Sequence, residues 1–114
     1  MSGFTLSSDP NDPPGLPRLA EPRLLVSGDI PPLPIMVVPE WGLAYRLRNE
    51  TLEHQAIDPD QAASAPEAIV FVKDGWAVCN PDASAQELAE QRIARAYLLG
   101  AGAGMRRRQL RAAG

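Results

Sequence analysis

Hydrophobic and polar positions alternate most cleanly between Trp41 and Arg48. Trp41, Leu43, Tyr45 and Leu47 fall on one side of an extended chain, and Gly42, Ala44, Arg46 and Arg48 on the other. A period of two marks a strand with one buried face. A second pattern, at helical spacing, runs through residues 81–99. There Ala85, Leu88, Ala89, Ile93, Ala96 and Tyr97 share one face. Pro81 suits a first helical turn, and Ser84-Ala-Gln-Glu87 fits a capping box. Asp82, Glu87 and Glu90 come early while Arg92 and Arg95 come late, as the helix dipole favours. The spacing predicts a helix with Leu88, Ile93 and Tyr97 buried. Gly100, Gly102 and Gly104 should end it, leaving Met105–Ala113 to form a separate short basic helix on contact.

Other segments give shorter signals. Ala68–Val72 and Trp76–Cys79 are rich in β-formers and flank Lys73-Asp74-Gly75, which predicts a hairpin with Gly75 at positive φ. Residues 49–66 read as a polar loop, with a short helix around residues 59–65. Arg23–Ser27 and Ile35–Val38 are apolar runs, the second an edge strand stopped by Pro39. The class is therefore α+β: an extended Pro-rich N-terminal arm over 1–40, a small body over 41–99 with an antiparallel sheet, a hairpin and one C-terminal amphipathic helix, and a Gly hinge with a basic tail over 100–114.

Composition sharpens the arm. Nine of the 12 prolines lie in the first 39 residues, which excludes a regular helix or a central strand there. Phe4, Leu6, Leu16, Leu19, Leu33 and Ile35 interleave with them as apolar anchors, and an idle leader needs none. A body of about 70 residues is marginal alone, so the arm is expected to lie against another chain and stabilise both. Pro31-Pro32-Leu33-Pro34 reads as a rigid spacer before it reads as a polyproline ligand.

Charge is split along the chain. Residues 1–90 hold all 14 acids against five bases, a net −9, and residues 91–114 hold six arginines and no acid. Arg106, Arg107, Arg108 and Arg111 then form a basic tail for nucleic acid or for an acidic protein surface. No aromatic lies between residues 98 and 114 to stack on bases.

Catalytic chemistry is poorly supported. His54 is the single histidine and sits in a stretch that reads as a solvated loop; Cys79 is the single cysteine and reads as a small buried group. One cysteine makes neither an internal disulfide nor a cysteine metal cage. Gly100-Ala-Gly-Ala-Gly104 lacks the strand before it and the Gly-Lys-Ser/Thr after it that a phosphate loop needs. Trp41, Tyr45 and Trp76 are expected in the core. No catalytic residue, metal or cofactor is expected, and no apolar run is long enough for a membrane span or a secretory signal, so a cytoplasmic setting is expected. The layout resembles that of small accessory proteins of phage particles, head-decorating or tail-associated subunits, without any shared motif. The expectation is a non-enzymatic structural or assembly subunit that binds neighbouring protein chains. The alternative is a small regulatory or inhibitory protein whose basic tail contacts nucleic acid or an acidic partner.

Overall fold

The computed structural model describes residues 18–28 and 32–113, with side chains as far as Met105. Five strands follow one another as an antiparallel meander: β1 (Arg23–Val26), β2 (Pro34–Val38), β3 (Leu43–Arg48), β4 (Thr51–Ala56) and β5 (Ala77–Val78). A short helix α1 (Pro59–Ser64) lies between β4 and β5, and a long helix α2 (Ala85–Ala113) ends the chain. The α+β class and the antiparallel sheet match the expectation from the pattern.

Three layers result. The face of the sheet carrying Met36, Val38, Tyr45 and Leu52 packs under α2 through Ala94 and Leu98. The opposite face, with Ile35, Val37 and Ala44, is covered by Ala62 of α1 and by Ile57, Ile69, Phe71 and Trp76 of the β4–β5 connection.

β2 is the most buried strand, and this corrects the expected arm. Met36, Val37 and Val38 are fully buried between β1 and β3, with Ile35↔Arg46 and Leu25↔Ile35 in register. Proline does not prevent this. Pro34 is the first residue of the strand, and Pro39 follows the last, opening a 3₁₀ turn over Pro39–Trp41. Gly42 closes that turn at φ +64, a left-handed conformation that glycine takes without strain. β2 therefore belongs to the domain core, with β1 along its edge, while Leu19 before β1 is exposed. Phe4, Leu6 and Leu16 lie outside the described residues.

β4 was not visible in the pattern. Thr51–Ala56 pairs with β3 from Arg48↔Thr51 to Leu43↔Ala56. The hairpin turns on Asn49 and Glu50, at φ 52 and 66, the two positive values of a type I′ loop. Asn tolerates this conformation, whereas Glu at its position is strained by about 1–2 kcal/mol. Glu50→Gly should therefore raise stability by about 1 kcal/mol in urea unfolding. The Glu50 carbonyl that accepts from Arg95 Nη1 at 3.1 Å is unaffected. An unchanged midpoint would mean the loop carries no strain.

The expected hairpin at Asp74-Gly75 does not form. Residues 69–72 are not a strand, and β5 pairs with β4 instead, Glu53↔Val78 and His54↔Ala77. A turn is present, closed by Gly75 N–H to the Val72 carbonyl at 3.0 Å, but Gly75 does not adopt positive φ. Its lack of a side chain serves another purpose: a Cβ there would lie 2.9 Å from Gln55 Nε2. The buried Gln55 amide takes the place of a strand partner. It donates to the Val72 carbonyl at 3.0 Å and accepts from the Val72 N–H at 2.8 Å.

Two corrections concern α2. It starts at Ala85, with Ser84 accepting from Glu87 N–H at 3.2 Å and meeting the Glu87 carboxylate at 3.1 Å, the expected capping box. Its buried face, however, is Ala89, Glu90, Ala94 and Leu98, while Leu88 and Tyr97 are half-buried and Ile93 is exposed. Alanines face the sheet because small side chains allow the helix to lie close to it. The helix also runs unbroken through Gly100, Gly102 and Gly104 to Ala113, so the glycines are neither a stop nor a hinge.

Candidate functional site

A groove of about 690 Å³ opens on the sheet face opposite α2. β3 supplies Arg46 and Arg48, the β3–β4 loop supplies Asn49, and the β4–β5 connection supplies Phe71, Lys73 and Trp76. Strand alternation explains the β3 part: Arg46 and Arg48 point away from the face that carries Tyr45 and Leu47, as the pattern predicted. The Gln55 bridge explains the rest, because it ties residue 72 to the sheet and so holds Phe71 and Lys73 beside it.

The groove has an ordered floor and a charged rim. Arg46 Nε donates to Glu53 Oε1 at 2.7 Å, a short charge-assisted bond, and its guanidinium sits 4.4 Å from the Trp76 ring centroid. Trp76 in turn stacks on Phe71 with centroids 5.4 Å apart and planes 30° off parallel. Arg48 and Lys73 are both exposed and make no ion pair among the described residues. The site thus offers a stacked apolar wall, one neutralised arginine and two uncompensated cations.

A second polar constellation lies under α2. Glu90 is 1% exposed and accepts from Arg18 three times: from Nε at 2.8 Å, from Nη2 at 2.8 Å and from the backbone N–H at 3.2 Å. Trp41 Nε1–H donates to the Arg18 carbonyl at 3.2 Å, and the guanidinium lies 5.8 Å from the Trp41 ring. Sequence reasoning assigned Glu90 to the dipole and Arg18 to the arm; their contact spans 72 positions and leaves no local signal.

The residues expected to bind partners scatter. Ile35 is buried in the sheet and Leu33 is half-buried at the groove, so neither is an exposed anchor. Pro34 is buried too, Pro32 and Leu33 are half-buried, and Pro31 lies outside the described residues. Leu19 is 94% exposed. The side chains of Arg106, Arg107, Arg108 and Arg111 lie outside those described, although their backbone is helical. Trp41 and Tyr45 are core, packed edge to face at 6.1 Å, and Trp76, half-buried against the second core cluster, also lines the groove.

His54 and Cys79 do not form a site. His54 lies in β4, not in a loop, and stacks on Tyr45 at 6.2 Å. Cys79 is buried, and desolvation pushes its thiol up to about 11 against the lowering effect of Arg95, so it is not a thiolate at neutral pH. Burial likewise raises the Tyr45 phenol. Among the described residues, no group of three or more His, Cys, Asp or Glu is placed to hold a metal, and no helix is long and apolar enough to cross a membrane. Comparison with protein-family models, with curated proteins and with solved structures finds no match to this chain.

Proposed function

We propose that this protein is a non-enzymatic assembly subunit in which the free end of α2 docks on the acidic body of a neighbouring copy. The carrying observation is the overhang of that helix. Its 29 residues span about 43 Å, of which about 22 Å lies beyond Leu98, the last residue buried against the sheet. The overhang is poorly built to stand alone. Three glycines in a helix weaken it by about 1 kcal/mol each, and helices take most of their stability from packing. A Cβ on Gly100 or Gly104 would meet nothing within 4 Å, so nothing among the described residues needs these glycines. A neighbour's close approach would need them.

Charge complementarity names the neighbour. The overhang and the turns before it carry the six arginines, and every described acid except Glu53 and Glu90 is exposed. This reading gives the helix an assembly role beside the one expected from the proline-rich arm, whose anchors Phe4, Leu6 and Leu16 lie outside the described residues. The resemblance in layout to phage-particle accessory proteins supplies a setting for it and no more.

Gly100→Ala/Gly104→Ala should separate the roles. As a monomer the variant should be more stable, by about 1 kcal/mol per site. Its self-association in sedimentation at low salt should fall at least tenfold, and 0.5 M salt should dissociate the wild-type assembly. A full-length chain that stays monomeric at low salt overturns the reading. Salt-sensitive binding of DNA through the same helix, without self-association, would replace it with the nucleic-acid alternative.

A further inference from the structure

We propose that the groove between β3 and the β4–β5 connection is a binding site for a small ligand that joins a planar ring to an anionic group. This does not rest on the assembly reading, which uses exposed acids and the free end of α2. Three observations converge. The volume of about 690 Å³ is that of a small-molecule site. The chain as a whole is acidic, yet this groove is lined by Arg46, Arg48 and Lys73. Among the described residues only Arg46 is neutralised, by Glu53, so the groove keeps two cations for an anion to neutralise.

The aromatic wall supplies the other half. Arg46, Trp76 and Phe71 form a continuous stack of π faces and a guanidinium on the sheet surface. The Arg46–Glu53 ion pair holds one end of this stack, and the Gln55–Val72 bridge holds the segment that carries the other. A core formed for packing alone has no need of two unpaired cations beside it. A ring on this wall gains dispersion and dipolar attraction, and its anion meets Arg48 and Lys73, which both line the groove. The Asn49 side chain, on the β3–β4 loop, adds a neutral hydrogen-bonding group. Phosphate and carboxylate share this chemistry, so the test carries both.

The test is a titration of the full chain followed by the two tryptophan indole signals in NMR. Trp76 lies in the groove and Trp41 lies under α2, so the second is an internal control. Adenosine monophosphate and 2-naphthoate are the ring anions; adenosine and inorganic phosphate are the halves of the first, and 2-naphthamide and acetate stand for those of the second. At least one ring anion should shift the Trp76 signal saturably, leave Trp41 in place, and bind at least tenfold more tightly than either half. Saturation by adenosine monophosphate alone assigns a phosphate, and by 2-naphthoate alone a carboxylate. Arg48→Gln/Lys73→Gln should weaken that binding at least about tenfold. Both side chains are exposed, so the variant should keep the wild-type spectrum elsewhere. Failure of both ring anions to shift Trp76, or equal affinity in the double variant, overturns the proposal.

Discussion

Leu98→Ala should cost the fold about 3 kcal/mol, read as a drop in the urea midpoint with an unchanged slope. Leu98 is 1% exposed and closes the cluster of Met36, Val38, Tyr45 and Ala94 between helix and sheet. Truncating it removes most of a side chain from water-free contact and leaves a cavity that the sheet, held by its ladders, fills poorly. Leu88, one face over, is only half-buried, and Leu88→Ala should cost about 1 kcal/mol by the area it covers. A Leu88 effect equal to or larger than the Leu98 effect would mean that the buried face of α2 is the one the sequence pattern predicts and not the one described.

Arg18→Ala should cost about 3 kcal/mol, although Arg18 lies half in solvent. The loss comes from its partner: Glu90 would remain buried with the backbone N–H of residue 18 as its one donor among the described residues and no countercharge. The lower end of the range for a broken buried pair applies because the vacated space admits water. Arg18→Met/Glu90→Leu, which removes both charges, should recover most of that loss. If the double variant is as unstable as Arg18→Ala, the pair contributes through packing and not through the carboxylate. The same contact fixes the segment before β1, so Arg18→Ala should also make residues 18–22 exchange amide hydrogens faster, with the sheet unchanged.

The helix and β3 were legible because their periodicities are local properties. Tyr45 and Leu47 face one layer, Arg46 and Arg48 the other, and no distant residue alters that. β4 was hidden because its two faces are covered in different ways. Leu52 enters a core, but Gln55 enters one too, buried by a hydrogen-bond pattern that only a folded neighbour at residue 72 can complete. The reading of prolines as a bar to central strands failed for a similar reason. What matters is where each ring falls relative to the ladder, and Pro34 and Pro39 bracket β2 without entering it. In α2, side-chain size misled: the pattern favoured Leu88 and Ile93, while packing chose Ala89 and Ala94. The groove was half visible. Arg46 and Arg48 were placed on one side of a strand, yet Phe71, Lys73 and Trp76 reach them only through the crossing of the β4–β5 connection.

The meander order has a consequence for how the chain is made. Each strand from β1 to β4 pairs with its neighbour in sequence, so these loops close cheaply and the sheet can zip as it leaves the ribosome. Its cover comes last. Until residue 98 has been synthesised, the nascent sheet presents Met36, Val38 and Tyr45 to water with nothing over them. Completion of α2 then delivers the apolar cover and the carboxylate that locks Arg18 in one event. The interval before it is the part of this protein's life in which a chaperone, or an aggregating neighbour, has something to hold.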